Sequence, residues 1–508
     1  MVKDNLKQKA LSGVFWAAIQ KYSSMGISLI SGVVLARLLT PDDYGSIGML
    51  AIFMSLAQVF IDAGFGSALI QKKNVSQADY STVFYFNMVM SGIIYLFLFL
   101  SAPYIATFYR MPILSGVLRT IGLVLFLYSL NIIQLNQVRK AMQFKSLSII
   151  TVSSYSIALI ITIYLAYAGW GVWALVVQQI VAAFIQCICL WIYSNWRPSF
   201  MFSWSSFRCL FGFGSYMFLT RIISTISEKI SGLVIGRLYT ASTMGYYSKA
   251  ETTEDMASMS ISSVLIQITY PLYSSLQDDK ERLIYSIKLI TSTLSFVMTP
   301  IMCLLILLAK PIFVILYSEK WLPGVPFFQI LCVAGIAKCL QAVNYQAVAA
   351  VGKSKIMFKW EVVKRISDVI LMIIGILCYG LLGLLWGKVI SMWLAFLINI
   401  TMVSNHVGYK NYQQLLDLAP AFLVSAMALG ISYLCSLFLC LSLYWDFMIK
   451  VFVFFVIYFG WCLLFKPAPY TYALSLINLV KIKNNYDSRY VWLWFNRIKC
   501  CYRLFKGI

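Results

Sequence analysis

Fourteen apolar runs, each about as long as a bilayer is thick, leave this chain little choice of fold. A helix that crosses the hydrocarbon core needs about 20 mostly apolar residues. Runs of that kind lie at approximately 11–38, 45–66, 82–104, 115–137, 148–168, 171–193, 209–238, 245–275, 289–309, 325–349, 366–381, 382–403, 418–440 and 447–465. In lipid, backbone N–H and C=O groups must be paired within the segment or within a closed barrel, so runs of this length read as helices. The expected fold is therefore all-α and integral to a membrane. The first, seventh and eighth runs are long enough to tilt, bend or project beyond the bilayer. Pro271 and Pro300 fall inside the eighth and ninth and are expected to kink them.

Composition closes off most soluble chemistry. The 508 residues are 61% hydrophobic and 11% charged, against about 45–50% and about 25% in soluble domains, and the mean hydropathy is +0.82. The one histidine, His406, rules out histidine-based zinc sites and bis-histidine haem sites, and a Ser/His/Asp triad would have to be built on it. The twelve cysteines show no metal-ligand spacing and read as small hydrophobes within spans. No metal and no cofactor is expected. No loop between runs has room for a soluble catalytic domain, so the chain reads as a transporter rather than an enzyme.

The formal charge of +22, from 40 Lys+Arg against 18 Asp+Glu, is first a topology signal. Cytoplasmic loops of membrane proteins carry the Lys/Arg excess. With the N-terminus in the cytoplasm, 27 of the 40 fall on inner segments, 5 on outer loops and helix ends, and 8 inside the runs. That ratio supports an even number of spans with both termini cytoplasmic. The N-terminal stretch carries Lys3, Lys7 and Lys9 and leads into a run too long and too polar for a cleavable signal peptide. The tail alternates aromatic and basic residues (Trp492, Trp494, Phe495, Arg497, Lys499). It reads either as an interfacial helix on anionic lipid or as a basic cytoplasmic tail.

The seventh run restates the first. SGVVLARLLTPDDYG (31–45) aligns without a gap on SGLVIGRLYTASTMG (231–245), matching Ser31/Ser231, Gly32/Gly232, Val34/Val234, Arg37/Arg237, Leu38/Leu238, Thr40/Thr240 and Gly45/Gly245. Backwards, Ser24 matches Ser224 and Lys21 faces Arg221. A weaker echo sets Asn131, Gln134 and Asn136 against Gln341, Asn344 and Gln346. Both partners start from the same side, so the repeat is parallel. The expected organisation is 1–200 (six spans), 201–410 (six spans), 411–466 (two spans) and 467–508 (tail). Parallel-repeat halves with a site between them near the midplane are a transporter architecture.

The polar residues inside the runs suggest what is carried. Lys21, Ser24, Ser28 and Ser31 share one helical face, and Arg221, Ser224, Glu228 and Ser231 hold the same positions in the second half. A cation at a helix centre costs about 2.5–3.5 kcal/mol on insertion scales and normally faces a bundle interior or an aqueous cavity. Lys21 and Arg221 are thus expected to make a cationic pocket for a phosphate or pyrophosphate, with Lys338, Lys229 and Lys249 as further candidates. Ser24, Ser28, Ser224, Asn131, Gln134, Gln341 and Asn344 are the candidate polar lining. The carboxylates Asp62, Glu228, Glu251, Glu254 and Asp255 are read as either coupling an ion or forming salt bridges. Glu251, Glu254 and Asp255 share a face with Lys249 nearby, which favours a local charge network. Asp368 is placed near the cytoplasmic face. Arg119, Lys388 and Lys450 are expected to snorkel outward. Arg37 and Arg237 read as fold residues bonding to carbonyls or lipid phosphates, and Asp42-Asp43 as a helix-start turn.

The ordered segments ARLLTPDDYG (36–45), DAGFGSALIQ (62–71), GYYSKAE (245–251) and AVGK (350–353) resemble the polysaccharide flippases of the multidrug/oligosaccharidyl-lipid/polysaccharide (MOP) superfamily. The likeness is to the Wzx-type lipopolysaccharide, capsule and colanic-acid exporters, and it covers roughly residues 5–465. It implies a MATE-like fold, two six-helix lobes in a V plus two C-terminal helices, in a bacterial cytoplasmic (inner) membrane. It implies translocation of undecaprenyl-pyrophosphate-linked oligosaccharide by alternating access, with lipid, a polysaccharide polymerase or export machinery, and a coupling H+ or Na+ as partners. The alternatives within the same fold are a MATE-type multidrug/cation antiporter, which a cationic cavity disfavours, and a lipid II flippase.

Overall fold

A computed structural model describes residues 2–352, 354–439, 443–467 and 469–471. Among them the regular structure is all helical. The helices are α1 (Val2–Leu38), α2 (Pro41–Asp62), α3 (Phe65–Gln71), α4 (Gln77–Tyr109), α5 (Ile113–Ile121), α6 (Val124–Lys140), α7 (Phe144–Tyr167) and α8 (Val172–Tyr193) in the first part of the chain. They continue as α9 (Trp204–Leu238), α10 (Ala241–Ser275), α11 (Lys280–Leu307), α12 (Ala309–Tyr317), α13 (Val325–Ala350), α14 (Ser354–Val407), α15 (Asn411–Leu439) and α16 (Leu443–Phe465). A short 3-10 helix, Glu319–Gly324, joins α12 to α13.

Ten helical stretches among the described residues are long and apolar enough to cross a membrane, and an eleventh is added if the bent α9 counts as one span. One of the ten is the 54-residue α14, which breaks at Tyr379 and Gly380, where Gly380 has φ +60° and ψ −138°. The break separates the two runs read at 366–381 and 382–403. The first and eighth runs are helices of 37 and 35 residues that fall short of the apolar criterion because of the polar stripe each carries. The fourth run divides into α5 and α6 around Gly122-Leu123. The expected kink at Pro300 does not break α11, which stays helical across it.

Local chemistry sets the helix starts. Thr40 opens α2 with a capping box: its hydroxyl accepts from Asp43 N while Asp43 accepts from the Thr40 backbone N–H, and Pro41 sits in the first turn. Thr240, its repeat mate, caps α10 by accepting from Thr243 N. Ser76 and Asp79 form a second capping box at α4.

The helices before Ser203 and those after it pack largely among themselves, as a first and a second lobe. α1 packs on α7 and α6 on α8, while in the second half α10 packs on α13 and α13 on α14. The last two helices stack beside α11, where Val424, Ala428, Phe454, Tyr458 and Cys462 bury against Cys303 and Leu307. The lobes meet chiefly where α2 lies along α10 and α9, and one apolar core runs through that contact. The outward faces are apolar and exposed, as at Leu100, Tyr104, Ile160, Leu377 and Phe452. This is the pattern of a protein whose solvent is lipid.

Candidate functional site

The seam between the lobes is built by the repeated segment itself. α1 and α9 each end in Arg-Leu, a Thr cap follows, and α2 and α10 then cross at Gly45 and Gly245. Midway along α1, Lys21 Nζ donates to Met259 O of α10 at 3.3 Å and Tyr22 Oη donates to Ser260 O at 3.2 Å. Lys21 is half-buried and makes no ion pair among the described residues. Arg221 on α9 is exposed, within electrostatic reach of Asp62 at the end of α2 and of Tyr128 on α6. Asp62 is buried and accepts from Gly66 N at 3.0 Å. Lys229 is half-buried within electrostatic reach of Glu251.

The acids of α10 find their partners across helices, not in Lys249. Glu251 Oε1 lies 2.7 Å from Lys388 Nζ of α14, and Tyr247 Oη joins both, at 2.6 Å from Glu251 and 2.9 Å from Lys388. Lys388 is therefore half-buried and held in an ion pair, which corrects its reading as an outward-snorkelling side chain. Lys338 on α13 pairs with Asp255 and lies 3.6 Å from Glu254. Glu228 is exposed and reaches Arg365 at 3.9 Å. Asp368 is buried and accepts from Ser227 Oγ at 2.7 Å. The other two cations read as snorkelling are tied locally: Arg119 Nε donates to Phe99 O at 3.3 Å, and Lys450 pairs with Asp446 at 2.7 Å.

Lys249 is only 5% exposed. Its ammonium donates to Gly32 O of α1 at 2.6 Å, with the rings of Tyr317 at 4.2 Å and Tyr44 at 5.1 Å. It is a cross-lobe peg held by cation–π contacts, so the expected cluster with the three acids does not form around it. The indole of Trp321 closes the same corner by donating to Ala36 O at 2.9 Å.

The polar lining divides by position. Ser28 is exposed, Ser224 and Gln341 are half-buried, and Ser24 is half-buried. Ser31, at the end of the stripe, turns into its own lobe and accepts from Gln178 at 2.8 Å. Asn131, Gln134 and Asn344 are buried, the last donating to Gln414 at 3.5 Å. Sequence reasoning missed Lys388, Tyr247 and the aromatic pair Tyr44 and Trp321. Nothing local announced Lys388; GYYSKAE (245–251), quoted above for another reason, already held Tyr247 and Glu251.

A repeated sequence segment, an all-helical architecture with membrane-length apolar helices and a seam carrying matched cations define a polytopic membrane protein with an internal repeat. The sequence profile of the family described as polysaccharide biosynthesis protein matches residues 34–326, more than half of the chain. The chain belongs to that family, and its long apolar helices make it a multi-pass membrane protein. It is similar to the lipopolysaccharide biosynthesis protein WzxC of Escherichia coli (strain K12), 22% identical over 84% of this chain and 88% of the relative. It is similar also to the succinoglycan biosynthesis transport protein ExoT of Rhizobium meliloti (strain 1021), 24% identical over 77% and 78%. The teichuronic acid biosynthesis protein TuaB of Bacillus subtilis (strain 168) is 23% identical over 70% and 74%. Among solved structures, the inward closed conformation of the lipid II flippase MurJ superposes with a TM-score of 0.73 at 17% identity, covering 88% of this chain and 98% of that one. An inward-facing MATE-family multidrug transporter gives 0.58 at 13% identity, over 77% and 98%. These two likenesses concern the fold.

Proposed function

We propose that the protein carries undecaprenyl-pyrophosphate-linked oligosaccharide, a repeat unit of a surface polysaccharide, from the cytoplasmic to the outer leaflet by alternating access of its two lobes. The supporting observation is the state of the matched cations. Lys21 and Arg221 hold the same place in the two repeats, and among the described residues neither has a carboxylate within 4 Å, whereas Lys338 and Lys388 are neutralised by Asp255 and Glu251. A cation in a membrane protein with no acid in direct contact is favoured by a bound counter-charge, and a pyrophosphate supplies one. The guanidinium of Arg221 presents a fork of donors, and the ammonium of Lys21 adds a point charge. The polyprenyl chain stays in lipid along the apolar outer faces, while hydroxyls such as those of Ser28 and Ser224 offer hydrogen bonds to sugar.

With both termini cytoplasmic, the basic inner segments face the leaflet where the substrate is made, and the flipped unit becomes available to a polymerase on the far side. The acids of α10 and their lysines are the groups through which H+ or Na+ could be coupled. The test is complementation of a strain lacking its flippase. Lys21→Ala with Arg221→Ala, present at wild-type levels, is expected to leave the surface without polysaccharide and the inner leaflet loaded with lipid-linked oligosaccharide. Full restoration of surface polysaccharide by that double variant overturns the pocket.

A further inference from the structure

The two lobes hold each other at one end through a contact that each repeat makes in the same way. Arg37 closes α1 and Arg237, its repeat mate, closes α9. Arg37 Nε donates to Leu316 O at 3.1 Å and its Nη2 donates to Ile315 O, the last carbonyls of α12 in the other lobe. Arg237 Nη1 donates to Phe108 O at 2.6 Å, the last turn of α4 in the first lobe, and its guanidinium lies 4.9 Å from the Phe108 ring centre.

The receiving sites are themselves equivalent. Phe108 and Leu316 each precede a terminal tyrosine, Tyr109 and Tyr317, which ends its helix. The next residue is in the left-handed region in both, at φ +57° for Arg110 and +87° for Ser318. The match runs on to Gly116-Val117 and Gly324-Val325. Two arginines of one repeated sequence thus reach, with crossed symmetry, the ends of two equivalent helices. The physical attraction is plain: the last carbonyls of a helix lack intrahelical donors and carry the negative end of its dipole. A guanidinium can fork onto two of them, as Arg37 does, where an ammonium is a point donor.

Other fasteners at the same end are one-sided. Lys320 Nζ donates to Arg37 O at 2.9 Å and to Leu39 O at 2.7 Å, and Trp321 Nε1 donates to Ala36 O. Their counterparts by the same alignment, Pro112 and Ile113, have no side-chain donor.

We propose that Arg37 and Arg237 are paired latches of an outer gate, one from each repeat, and that both release when the lobes part on the outer side. The inference rests on the alternating-access reading and on the proposed orientation, which sets the ends of α1 and α9 at the outer surface. Both latches act on one closed state, so their losses add in free energy as for separate sites. Loss of a charge-assisted hydrogen bond is expected to speed opening about tenfold per latch.

The test is amide hydrogen exchange on the full-length protein in lipid nanodiscs, read at the α2–α10 crossing, residues 41–46 and 241–246, which neither arginine side chain touches. Arg37→Ala and Arg237→Ala are each expected to speed exchange there about tenfold, and the double variant about a hundredfold. Arg37→Lys and Arg237→Lys, which keep charge and stem, are expected to fall between and serve if an alanine variant does not fold. Exchange that rises only around 315–318 in one variant and 108–111 in the other, with the crossing unchanged, overturns the latch and leaves two local helix caps. The readout needs no substrate, so a failure of the transport reading shows separately, as a wild-type protein that does not complement.

Discussion

Gly45 and Gly245 each lie against the first turn of the other's helix. A Cβ on Gly45 would stand 1.9 Å from Ala241 O, and a Cβ on Gly245 would stand 1.9 Å from Pro41 O. Helices α2 and α10 therefore cross backbone to backbone, with no space for a methyl group on either side. Small residues at helix crossings are how membrane helices approach closely. Gly45→Ala and Gly245→Ala are each expected to push the lobes apart, lowering the melting temperature in detergent and removing surface polysaccharide. Gly92→Ala is the control, since nothing lies within 4 Å of its Cβ position. It is expected to leave melting unchanged or raise it, because alanine is favoured over glycine in a helix by about 1 kcal/mol.

The Glu251–Lys388 pair predicts a non-additive double-variant result. Their side chains are 22% and 15% exposed, and Tyr247 bridges them. Removing one partner strands a largely buried charge, at a cost of about 3–5 kcal/mol. Glu251→Gln and Lys388→Met alone should each depress thermal stability strongly, and the two together should recover much of the loss. Additive losses in a melting series would show that the pair does not act as a unit.

Lys249 makes a different prediction because it touches backbone and rings rather than an acid. Lys249→Met should cost about 1–3 kcal/mol, from the lost Gly32 carbonyl bond and the cation–π contacts. It should leave the protein able to export polysaccharide once the temperature is lowered enough to keep it folded. Normal melting with abolished export would instead make Lys249 a substrate contact.

The matched caps offer a finer measurement. Thr40→Ala and Thr240→Ala each remove a helix N-cap and are expected to cost about 1 kcal/mol, with Thr→Ser nearly silent. Parallel melting curves of the four variants check this, and an unchanged Thr40→Ala protein would contradict the role of the capping box.

Much of this architecture is legible in the chain because its signals are local or repeated. Run length marks most of the long apolar helices, Thr40, Pro41 and Asp43 announce a helix start, and the spacing of Arg37 and Gly45 recurs at Arg237 and Gly245. The site is less legible because its pairings are tertiary. Lys388 lies near one end of its run, where a lysine commonly snorkels, and only the packing that brings α14 beside α10 shows it meeting Glu251. Lys249 sits two residues from Glu251, yet on a helix that spacing turns the two side chains to different faces. The stripe from Lys21 to Ser31 is real as a helical face, but it winds with α1, so Lys21 meets α10 while Ser31 meets Gln178. Arg37 and Arg237 read correctly as bonding to carbonyls, but that those carbonyls belong to the opposite lobe could not be seen before the halves were docked.

Transport of a polyprenyl-pyrophosphate-linked glycan can be followed in a reconstituted system. The purified protein is placed in liposomes with an undecaprenyl-pyrophosphate-linked oligosaccharide from a host that makes a surface polysaccharide, and the fraction of glycan reaching the opposite leaflet is followed with an impermeant glycosidase. Crossing is expected to depend on the protein and to fall to the rate of empty liposomes when Lys21 and Arg221 are both alanine. Crossing no faster with folded wild-type protein than without it would contradict transport of this glycan by the protein.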